Sequence, residues 1–259
     1  MKIIKTIESY DLYRSSLKTQ SLGFVATMGA LHLGHISLVE QSLKNNQTTV
    51  VSIFINATQF DCINDLNNYP SALDNDLKLL KQAGVNAVFL PVYDGIYPDD
   101  YVFQIQENRL SKKLCGAYRD GHFDGVLTVV MKLLNIIKPT NAYFGEKDFQ
   151  QLTLIKQMVS AFFINTVIVG CPIIREADGL AMSSRNLRLN KLQRQQAVLL
   201  YQTISSHKNI KQMRKKLTEI GFDVDYIEVM NDRLLVAAYL DEIRLIDNIE
   251  YKNMKEISA

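Results

Sequence analysis

Short apolar runs alternate with helically periodic segments through the first two-thirds of the chain. The runs at 23–27 and 49–55 are rich in apolar and β-branched residues, as is typical of strands buried on both faces. The predicted strands, of which 23–27 is the first, are 23–27, 49–55, 87–90, 141–144 and 165–169, and the predicted helices are 36–43, 74–84, 123–138 and 149–161. Strands separated by helices need crossover connections, so the pattern predicts an α/β fold with a doubly wound parallel sheet.

The pattern changes after Asn190. The elements predicted there are two helices, 191–207 and 209–220, and three short strands, 226–230, 234–240 and 244–249. Helices followed by consecutive strands favour a small α+β domain with an antiparallel sheet. We therefore predict one domain at 1–173 and a smaller C-terminal domain at 174–259.

The charge balance disfavours several classes of partner. The 259 residues include 29 basic and 27 acidic side chains, with a formal net charge of +2. That balance gives no electrostatic basis for binding nucleic acid or an anionic membrane surface. No apolar run approaches the roughly 18–20 residues that a membrane-spanning helix needs. Cys62, Cys115 and Cys171 are far apart and form no CxxC pair, so we expect a cytoplasmic protein without disulfides.

The strongest indication of chemistry is the segment 27–35, Thr-Met-Gly-Ala-Leu-His-Leu-Gly-His, between a predicted strand and a predicted helix. Gly34 would let a ligand approach the backbone, and the free N–H groups of a helix start favour phosphate. His32 and His35 can donate hydrogen bonds to phosphate oxygens where charge develops. The alternatives are structural histidines or half of a zinc site, but the two other histidines lie in no ligand-like cluster. The pattern therefore favours nucleotide binding.

Three further groups of polar residues lie at predicted strand ends or in loops. Gln59 and Gln151 each offer a carboxamide that both donates and accepts, which a hydroxy acid requires, although either alone would be read as a surface glutamine. Gly145–Asp148 supplies a glycine for close approach and a lysine for phosphate, with Asp148 alternatively acting as a helix cap. In 182–185 two serines and an arginine can grip phosphates, unless the segment is only a loop before the next helix.

The HxGH spacing is similar to the HIGH signature of the nucleotidyltransferase and class I aminoacyl-tRNA synthetase superfamily. The segment 27–42, TMGALHLGHISLVEQS, resembles the pantothenate synthetase family in particular. Five further segments resemble that family in its own order: 54–60 (FINATQF), 65–70 (DLNNYP), 119–130 (RDGHFDGVLTVV), 141–152 (NAYFGEKDFQQL) and 175–186 (READGLAMSSRN). Each segment alone is weak, but their order and spacing together are specific.

The resemblance implies a Rossmann-like domain followed by a small C-terminal domain, assembled as a homodimer. It also implies the condensation of pantoate with β-alanine through a pantoyl-adenylate, with release of AMP and pyrophosphate. ATP with Mg²⁺ would be a substrate, and no organic cofactor is expected.

The resemblance further assigns residues to each ligand. ATP would be bound by Met28, Gly29, Ala30, Leu31, His32, Leu33, Gly34, His35, Gly145, Glu146, Lys147, Asp148, Ile174, Met182, Ser183, Ser184 and Arg185. The catalytic members of that set would be His32, His35, Lys147, Ser183, Ser184 and Arg185. Pantoate would be held by Gln59 and Gln151 and more weakly by Asn56, with Gln59 also near β-alanine.

Some positions depart from the family pattern. Asp61 replaces a glycine at the start of 61–68, a loop that we expect to act as a lid that keeps water from the adenylate. Asn75 and Leu79 stand where some relatives carry a carboxylate and a glutamine near magnesium. No metal ligand is therefore assigned to the protein, and the phosphates of ATP would provide most of the ligands.

Other interpretations remain open at this point. Arg119 and His122 would lie near the phosphates or anchor a loop, and Tyr69 would cover pantoate or pack in the core. A nucleotidyltransferase that moves AMP to a phosphate acceptor would share the histidine motif, but it would not explain Gln59 and Gln151. A non-catalytic ATP sensor or an RNA-binding module is the alternative from another class, and the balanced charge disfavours RNA.

Overall fold

The computed structural model of the protein describes residues 1–18, 20–206 and 209–251. The chain divides into two compact units, which are residues 1–146 with 150–172, and residues 147–149 with the segment from 173 onward. The last residue of the predicted helix 191–207 and the final part of the predicted second domain, 252–259, lie outside the described residues. In the ranges that are described, no helix is long and apolar enough to cross a membrane.

The first unit is a parallel sheet with helices between its strands. Its strands are β1 (Lys2–Ile4), β2 (Leu22–Thr27), β3 (Thr48–Ile53), β4 (Ala87–Phe89), β5 (Asn141–Gly145) and β6 (Val167–Cys171). The helices are α1 (Ile7–Ser16), α2 (Leu33–Asn45), α3 (Ile63–Asn67), α4 (Leu73–Ala83), α5 (Tyr93–Ile96), α6 (Cys115–Tyr118), α7 (His122–Ile137) and α8 (Phe149–Ala161).

The strand order of the sheet is β1-β4-β3-β2-β5-β6, and every pairing is parallel. In the sheet, β3, β4 and β1 lie on one side of β2, and β5 and β6 lie on the other side. The order therefore reverses beside β2, and such a switch point opens a crevice at the carboxyl ends of the strands. The segments after β2, β3 and β5 all begin at that edge of the sheet.

The apolar runs explain why these strands lie at the centre. Phe24 and Val25 in β2 and Val50 and Val51 in β3 are fully buried, as expected for strands covered on both faces. On one face Val25 and Val51 pack with Leu80 of α4. Helix α4 ends at Gly84, whose φ of 89° is a left-handed conformation that glycine adopts without a steric penalty.

The second unit contains two helices and an antiparallel sheet. Its helices are α9 (Lys191–Ser206) and α10 (Ile210–Glu219), and its strands are β7 (Asp223–Met230), β8 (Arg233–Leu240) and β9 (Ile243–Glu250), paired in that order. Asn231 and Asp232 turn the chain between β7 and β8 with φ of 49° and 57°, a conformation that Asn and Asp tolerate. The predicted fold class, a doubly wound parallel sheet with a smaller α+β domain, is confirmed.

The structure corrects the sequence prediction at both edges of the parallel sheet. The segment 23–27 is not the first strand, because β1 precedes it and pairs with β4 at one edge. The last strand is 167–171 rather than 165–169. Thr166 directly precedes the strand, and its side chain donates to the carbonyl oxygen of Pro139 at 2.8 Å. Edge strands carry weaker apolar patterns than central ones, which explains both errors.

Replacing Leu80 by alanine should destabilise the first unit. The Leu80 side chain is fully buried in α4, and a Leu→Ala change at such a site costs about 2–5 kcal/mol because it leaves a cavity. The matched control is Leu12→Ala in α1, where the side chain is 77% exposed and the cost should stay within about 0.5 kcal/mol. Urea unfolding of both variants measures the difference, and equal midpoints would contradict the assigned core.

Candidate active site

The two histidines of the HxGH motif cap helix α2. His32 is the N-cap residue, and its Nδ1 accepts a hydrogen bond from the N–H of Gly34 at 3.1 Å. The N–H of His32 in turn donates to Nδ1 of His35 at 3.3 Å. The ring centroids are 4.0 Å apart. Because Nδ1 accepts in both rings, the proton of each neutral imidazole is on Nε2, which is the donating nitrogen of each ring.

The turn between β2 and α2 is fixed by two side chains. The Thr27 hydroxyl donates to the carbonyl oxygen of Ser52 at 2.8 Å and accepts from the N–H of Gly29 at 3.3 Å. The carboxylate of Asp76, in α4, accepts from the N–H groups of Ala30 and Leu31, each at 2.8 Å. The sequence analysis missed this contact, because the residues are more than forty positions apart and nothing in the local pattern relates them.

Gln59 lies beside the histidine turn. It ends the short 3₁₀ turn 57–59 that follows β3, and its Nε2 lies 3.2 Å from Sδ of Met28. The structure therefore brings together the predicted pantoate ligand Gln59 and the predicted nucleotide-binding turn at the carboxyl ends of β2 and β3.

Asn56, the weaker of the predicted pantoate ligands, makes four hydrogen bonds within the protein. Its Nδ2 donates to Oε1 of Gln59 at 3.1 Å and to the carbonyl oxygen of Gly125 at 3.2 Å. Its Oδ1 accepts from the hydroxyls of Thr58 at 3.0 Å and Tyr97 at 2.8 Å. These four bonds use the whole hydrogen-bonding capacity of a carboxamide, and the side chain is buried. The geometry therefore gives Asn56 the task of holding Gln59.

The hydroxyl of Tyr97, which donates to Asn56, is buried. Burial raises the pKa of Tyr97 to about 12, so its hydroxyl remains a hydrogen-bond donor at neutral pH. The ammonium of Lys132 lies 4.9 Å from the centre of the Tyr97 ring and donates to Asp99 at 2.7 Å. That hydrogen bond lowers the pKa of Asp99 to about 2.

Arg119 and His122 anchor the backbone at Gln59. Nη1 of Arg119 lies 3.0 Å from Nε2 of His122, and Nδ1 of His122 lies 2.8 Å from the carbonyl oxygen of Gln59. Arg119 can only donate, so Nε2 of His122 accepts and Nδ1–H donates to Gln59. Nε of Arg119 also donates to Asp61 at 2.8 Å. Of the two interpretations left open by the sequence, these contacts favour the anchoring of a loop.

Tyr69 packs against Phe60, with ring centroids 5.6 Å apart, so aromatic packing at the end of the 61–68 segment is its observed contact.

Gln150 and Gln151 have different environments. Gln150 is buried, and its side chain binds the backbone of Leu110, Lys113 and Cys115. Over the described part of the chain, no hydrogen bond engages the carboxamide of Gln151. Gln151 therefore keeps its donors and acceptor for a ligand, as the sequence prediction requires.

The predicted phosphate-binding lysine belongs to the second unit. Lys147–Phe149 groups with that unit rather than with the strand before it. The side-chain amide of Asn248, in β9, donates to the carbonyl oxygen of Lys147 at 3.0 Å. The guanidinium of Arg233 lies 4.9 Å from the centre of the Phe149 ring and donates to Oδ1 of Asn248 at 2.7 Å. Contacts with β8 and β9 thus hold the residues before and after Asp148. The carboxylate of Asp148 lies 3.7 Å from the Lys147 ammonium.

The loop 182–185 has a rigid base. Arg175 forms two hydrogen bonds with the buried carboxylate of Asp247, at 2.6 and 2.9 Å, and its guanidinium stacks on the Tyr201 ring at 3.8 Å. The N–H of Met182 donates to the carbonyl oxygen of Ile174 at 3.0 Å, and Ser183 caps the turn 184–188 by accepting from the N–H of Arg185 at 3.3 Å. The convergence of this loop with the histidine pair on one triphosphate stays a prediction.

Comparison with known proteins gives a consistent result. The model of the family described as pantoate-beta-alanine ligase matches residues 2–250. A pantothenate synthetase of Bdellovibrio bacteriovorus is 47% identical over 249 residues, covering 96% of this chain and 99% of the relative. One of Coxiella burnetii is 44% identical over 255 residues, covering 98% and 99%. The crystal structure of a Francisella tularensis pantoate-beta-alanine ligase, complexed with β,γ-ATP and β-alanine, is 42% identical with a TM-score of 0.93, covering 96% and 97%.

Replacing Gly125 by alanine should displace Gln59. A Cβ at position 125 would lie 2.4 Å from the carbonyl oxygen of Thr58 and 2.7 Å from Cα of Gln59, so α7 or the 57–59 turn must move. We expect a loss of stability of about 1–3 kcal/mol and a pantoate affinity lowered about tenfold or more, because carboxamide hydrogen bonds are directional.

The matched control is Gly95→Ala, where the nearest atom to the added methyl group belongs to Val92 at 3.9 Å. Calorimetric titration with pantoate, together with unfolding curves, separates binding from stability. Unchanged pantoate affinity in Gly125→Ala would show that the close approach of α7 does not position Gln59.

Proposed function

Because the chain belongs to the pantoate-beta-alanine ligase family, it is an ATP-dependent ligase that joins pantoate to β-alanine, and we propose that the reaction proceeds through a pantoyl-adenylate. The observation that carries the proposal is the capped histidine pair, with its Nε2 donors, beside Gln59. The histidines can donate hydrogen bonds to a phosphate, and the carboxamide of Gln59 can bind a hydroxy acid. Both lie at the carboxyl ends of strands of the same sheet.

The reaction has two halves. A carboxylate oxygen of pantoate attacks the α-phosphorus of ATP, and the bond to the β-phosphate breaks, which releases pyrophosphate. The unprotonated amine of β-alanine then attacks the acyl carbon, the bond to AMP breaks, and the amide forms with loss of one proton from nitrogen. Orientation of bound reactants can supply about 7–11 kcal/mol, against about 3–4 kcal/mol for one well-aimed donor. Positioning therefore contributes most of the catalysis.

Each side chain has a proposed part. The Nε2–H groups of His32 and His35 donate to the phosphate that is attacked, and Gln59 and Gln151 hold the carboxylate and hydroxyl groups of pantoate. Gln59 also lies near the incoming β-alanine. The remaining contacts to the nucleotide come from Lys147, Ser183, Ser184 and Arg185 at the phosphates and from Ile174 at the adenine.

We assign no magnesium ligand to the protein and propose that the phosphates of ATP supply most of the ligands. Leu79 has no donor atom, and both carboxylate oxygens of Asp76 accept backbone N–H groups. The described residues contain no group of three His, Cys, Asp or Glu side chains placed to hold a metal. Magnesium enters with ATP as part of the substrate, bound by phosphates and water.

We also propose that the protein works as a cytoplasmic homodimer, as the resemblance to its family implies. Cys62 is exposed and Cys115 and Cys171 are buried, and none of the three is in a disulfide, which suits a reducing compartment. Burial raises the pKa of Cys171 to about 11, so its thiol is unreactive at neutral pH.

Pantoate-dependent exchange of labelled pyrophosphate into ATP tests the adenylate directly, since exchange requires the first half-reaction to be reversible. Pantoate labelled with ¹⁸O in its carboxylate separates the ligase from a nucleotidyltransferase with a phosphate acceptor. Label should appear in AMP, because one carboxylate oxygen remains on phosphorus when the amide forms. Unlabelled AMP would exclude the acyl-adenylate.

Replacing His35 by alanine should slow adenylate formation by about 10²–10³, because one preorganised donor to the developing charge is lost. The side chain also caps α2, so a loss of about 1 kcal/mol in stability is expected besides. The control is Lys44→Ala at the exposed end of the same helix, which should exchange pyrophosphate at the normal rate. Near-normal exchange in the folded His35 variant would remove the assigned role.

The 61–68 segment should become protected from hydrogen exchange when ATP and pantoate bind together, because the adenylate must be shielded from water. Replacing Asp61 by glycine removes the bond to Arg119 and frees the backbone, so exchange in the unliganded protein should rise. Asp61→Asn, which removes the charge but keeps the side chain, should have a smaller effect. Ligand-independent exchange rates in the unmodified protein would be incompatible with a lid.

A further inference from the structure

A buried carboxylate lies behind the histidine turn. Asp76 is 1% exposed, and ionised carboxylates are rarely buried without compensation. Its compensation comes from backbone, because Oδ1 accepts from the N–H of Leu31 and Oδ2 from the N–H of Ala30, both at 2.8 Å. Over the residues that the structure describes, no lysine or arginine lies within ion-pair distance of Asp76. Charge-assisted hydrogen bonds to N–H groups are the stronger kind.

The turn that Asp76 holds has an unfavourable backbone conformation. Gly29 and Ala30 have φ of 85° and 50°. Glycine adopts positive φ without penalty, but alanine does so rarely because of its Cβ. A residue in this region persists only when its surroundings hold it there. The two hydrogen bonds from consecutive N–H groups to a single carboxylate provide that restraint.

The restraint ends directly before the histidine pair. Leu31, the second residue bound by Asp76, precedes His32, whose own N–H donates to Nδ1 of His35. A shift of the turn would therefore rotate the His32 peptide and break the capping bond that sets the tautomer of His35. The neighbouring Asp74 and Asn75 on α4 are exposed and make no such contact.

We propose that Asp76 is a positioning residue for the His32–His35 pair, with its carboxylate holding both imidazoles as Nε2–H donors. The inference deepens the proposed function, on which its catalytic part rests. Asp76 touches neither substrate nor reacting atoms, and it acts only through the backbone of 30–32.

The first test is Asp76→Asn, which keeps the shape of the side chain but replaces one acceptor oxygen by an amide NH2 group that faces an N–H donor. We expect kcat for pantoate-dependent pyrophosphate exchange to fall by about 10- to 100-fold, since small displacements of aligned groups cost that much. The KM for ATP should change less than kcat. The matched control is Asp74→Asn, which removes the same charge from the first turn of α4 and should leave exchange unchanged.

The second test measures the tautomers of the histidines directly. In ¹⁵N-histidine-labelled protein, which has four histidines, two-bond ¹H–¹⁵N spectra should show His32 and His35 as Nε2–H tautomers. In Asp76→Asn both should become mixtures, while His122 keeps its Nδ1–H form. Unchanged tautomers together with unchanged kcat would overturn the proposal. Normal tautomers with a lowered kcat would also overturn it, because Asp76 would then act by another route.

A third measurement requires no variant and covers the case in which Asp76→Asn does not fold. The amide protons of Ala30 and Leu31 should exchange slowly in the unmodified protein, because both bind a buried carboxylate. Fast exchange at both amides would overturn the inference. The tautomer and exchange measurements need no turnover, so they decide the role of Asp76 even if pyrophosphate exchange is absent and the proposed function fails.

Discussion

The hydrogen bonds between two imidazole rings and the backbone at the start of α2 are the constraint on which the proposed chemistry of the first unit depends. Each ring uses Nδ1 as an acceptor for a main-chain N–H, which satisfies groups that a helix start leaves without partners. The same bonds place the proton of each neutral ring on Nε2. His32 and His35 thus have a structural role as caps, and that role is compatible with the proposed role of their Nε2–H groups as donors to phosphate.

The neighbouring Gln59 is held by a different principle, which is the complete satisfaction of buried polar groups. Asn56 makes four hydrogen bonds within the protein, one of them to the side chain of Gln59. His122 donates to the backbone carbonyl oxygen of Gln59. A buried carboxamide that lost one partner would cost free energy, so the arrangement has few alternatives. Gln59 is held by side chains that are themselves bonded within the protein, and such support is the usual basis of a preorganised site.

The sequence was sufficient for the parts of the protein that depend on local pattern. Continuous apolar runs identified β2 and β3, Gly84 marked the end of α4, and the strand–helix alternation gave the parallel sheet. The sequence was insufficient where a contact joins distant residues. The carboxylate of Asp76 binds a turn more than forty positions earlier. Two of the four partners of Asn56, Tyr97 and Gly125, are also distant in sequence. β1 was missed because three residues at a sheet edge carry almost no periodic signal.

The grouping of Lys147–Phe149 with the second unit follows from β9 and its neighbours. Asp247 and Asn248 are consecutive in that strand, and one binds Arg175 at the base of the 182–185 loop while the other binds the carbonyl oxygen of Lys147. Two segments predicted to contact phosphate are therefore anchored to adjacent residues of one strand. If alignment supplies more of the rate than any single donor, this anchoring keeps the lysine and the serine–arginine loop in a constant relation to each other. The pair would then meet the nucleotide as a single preformed element.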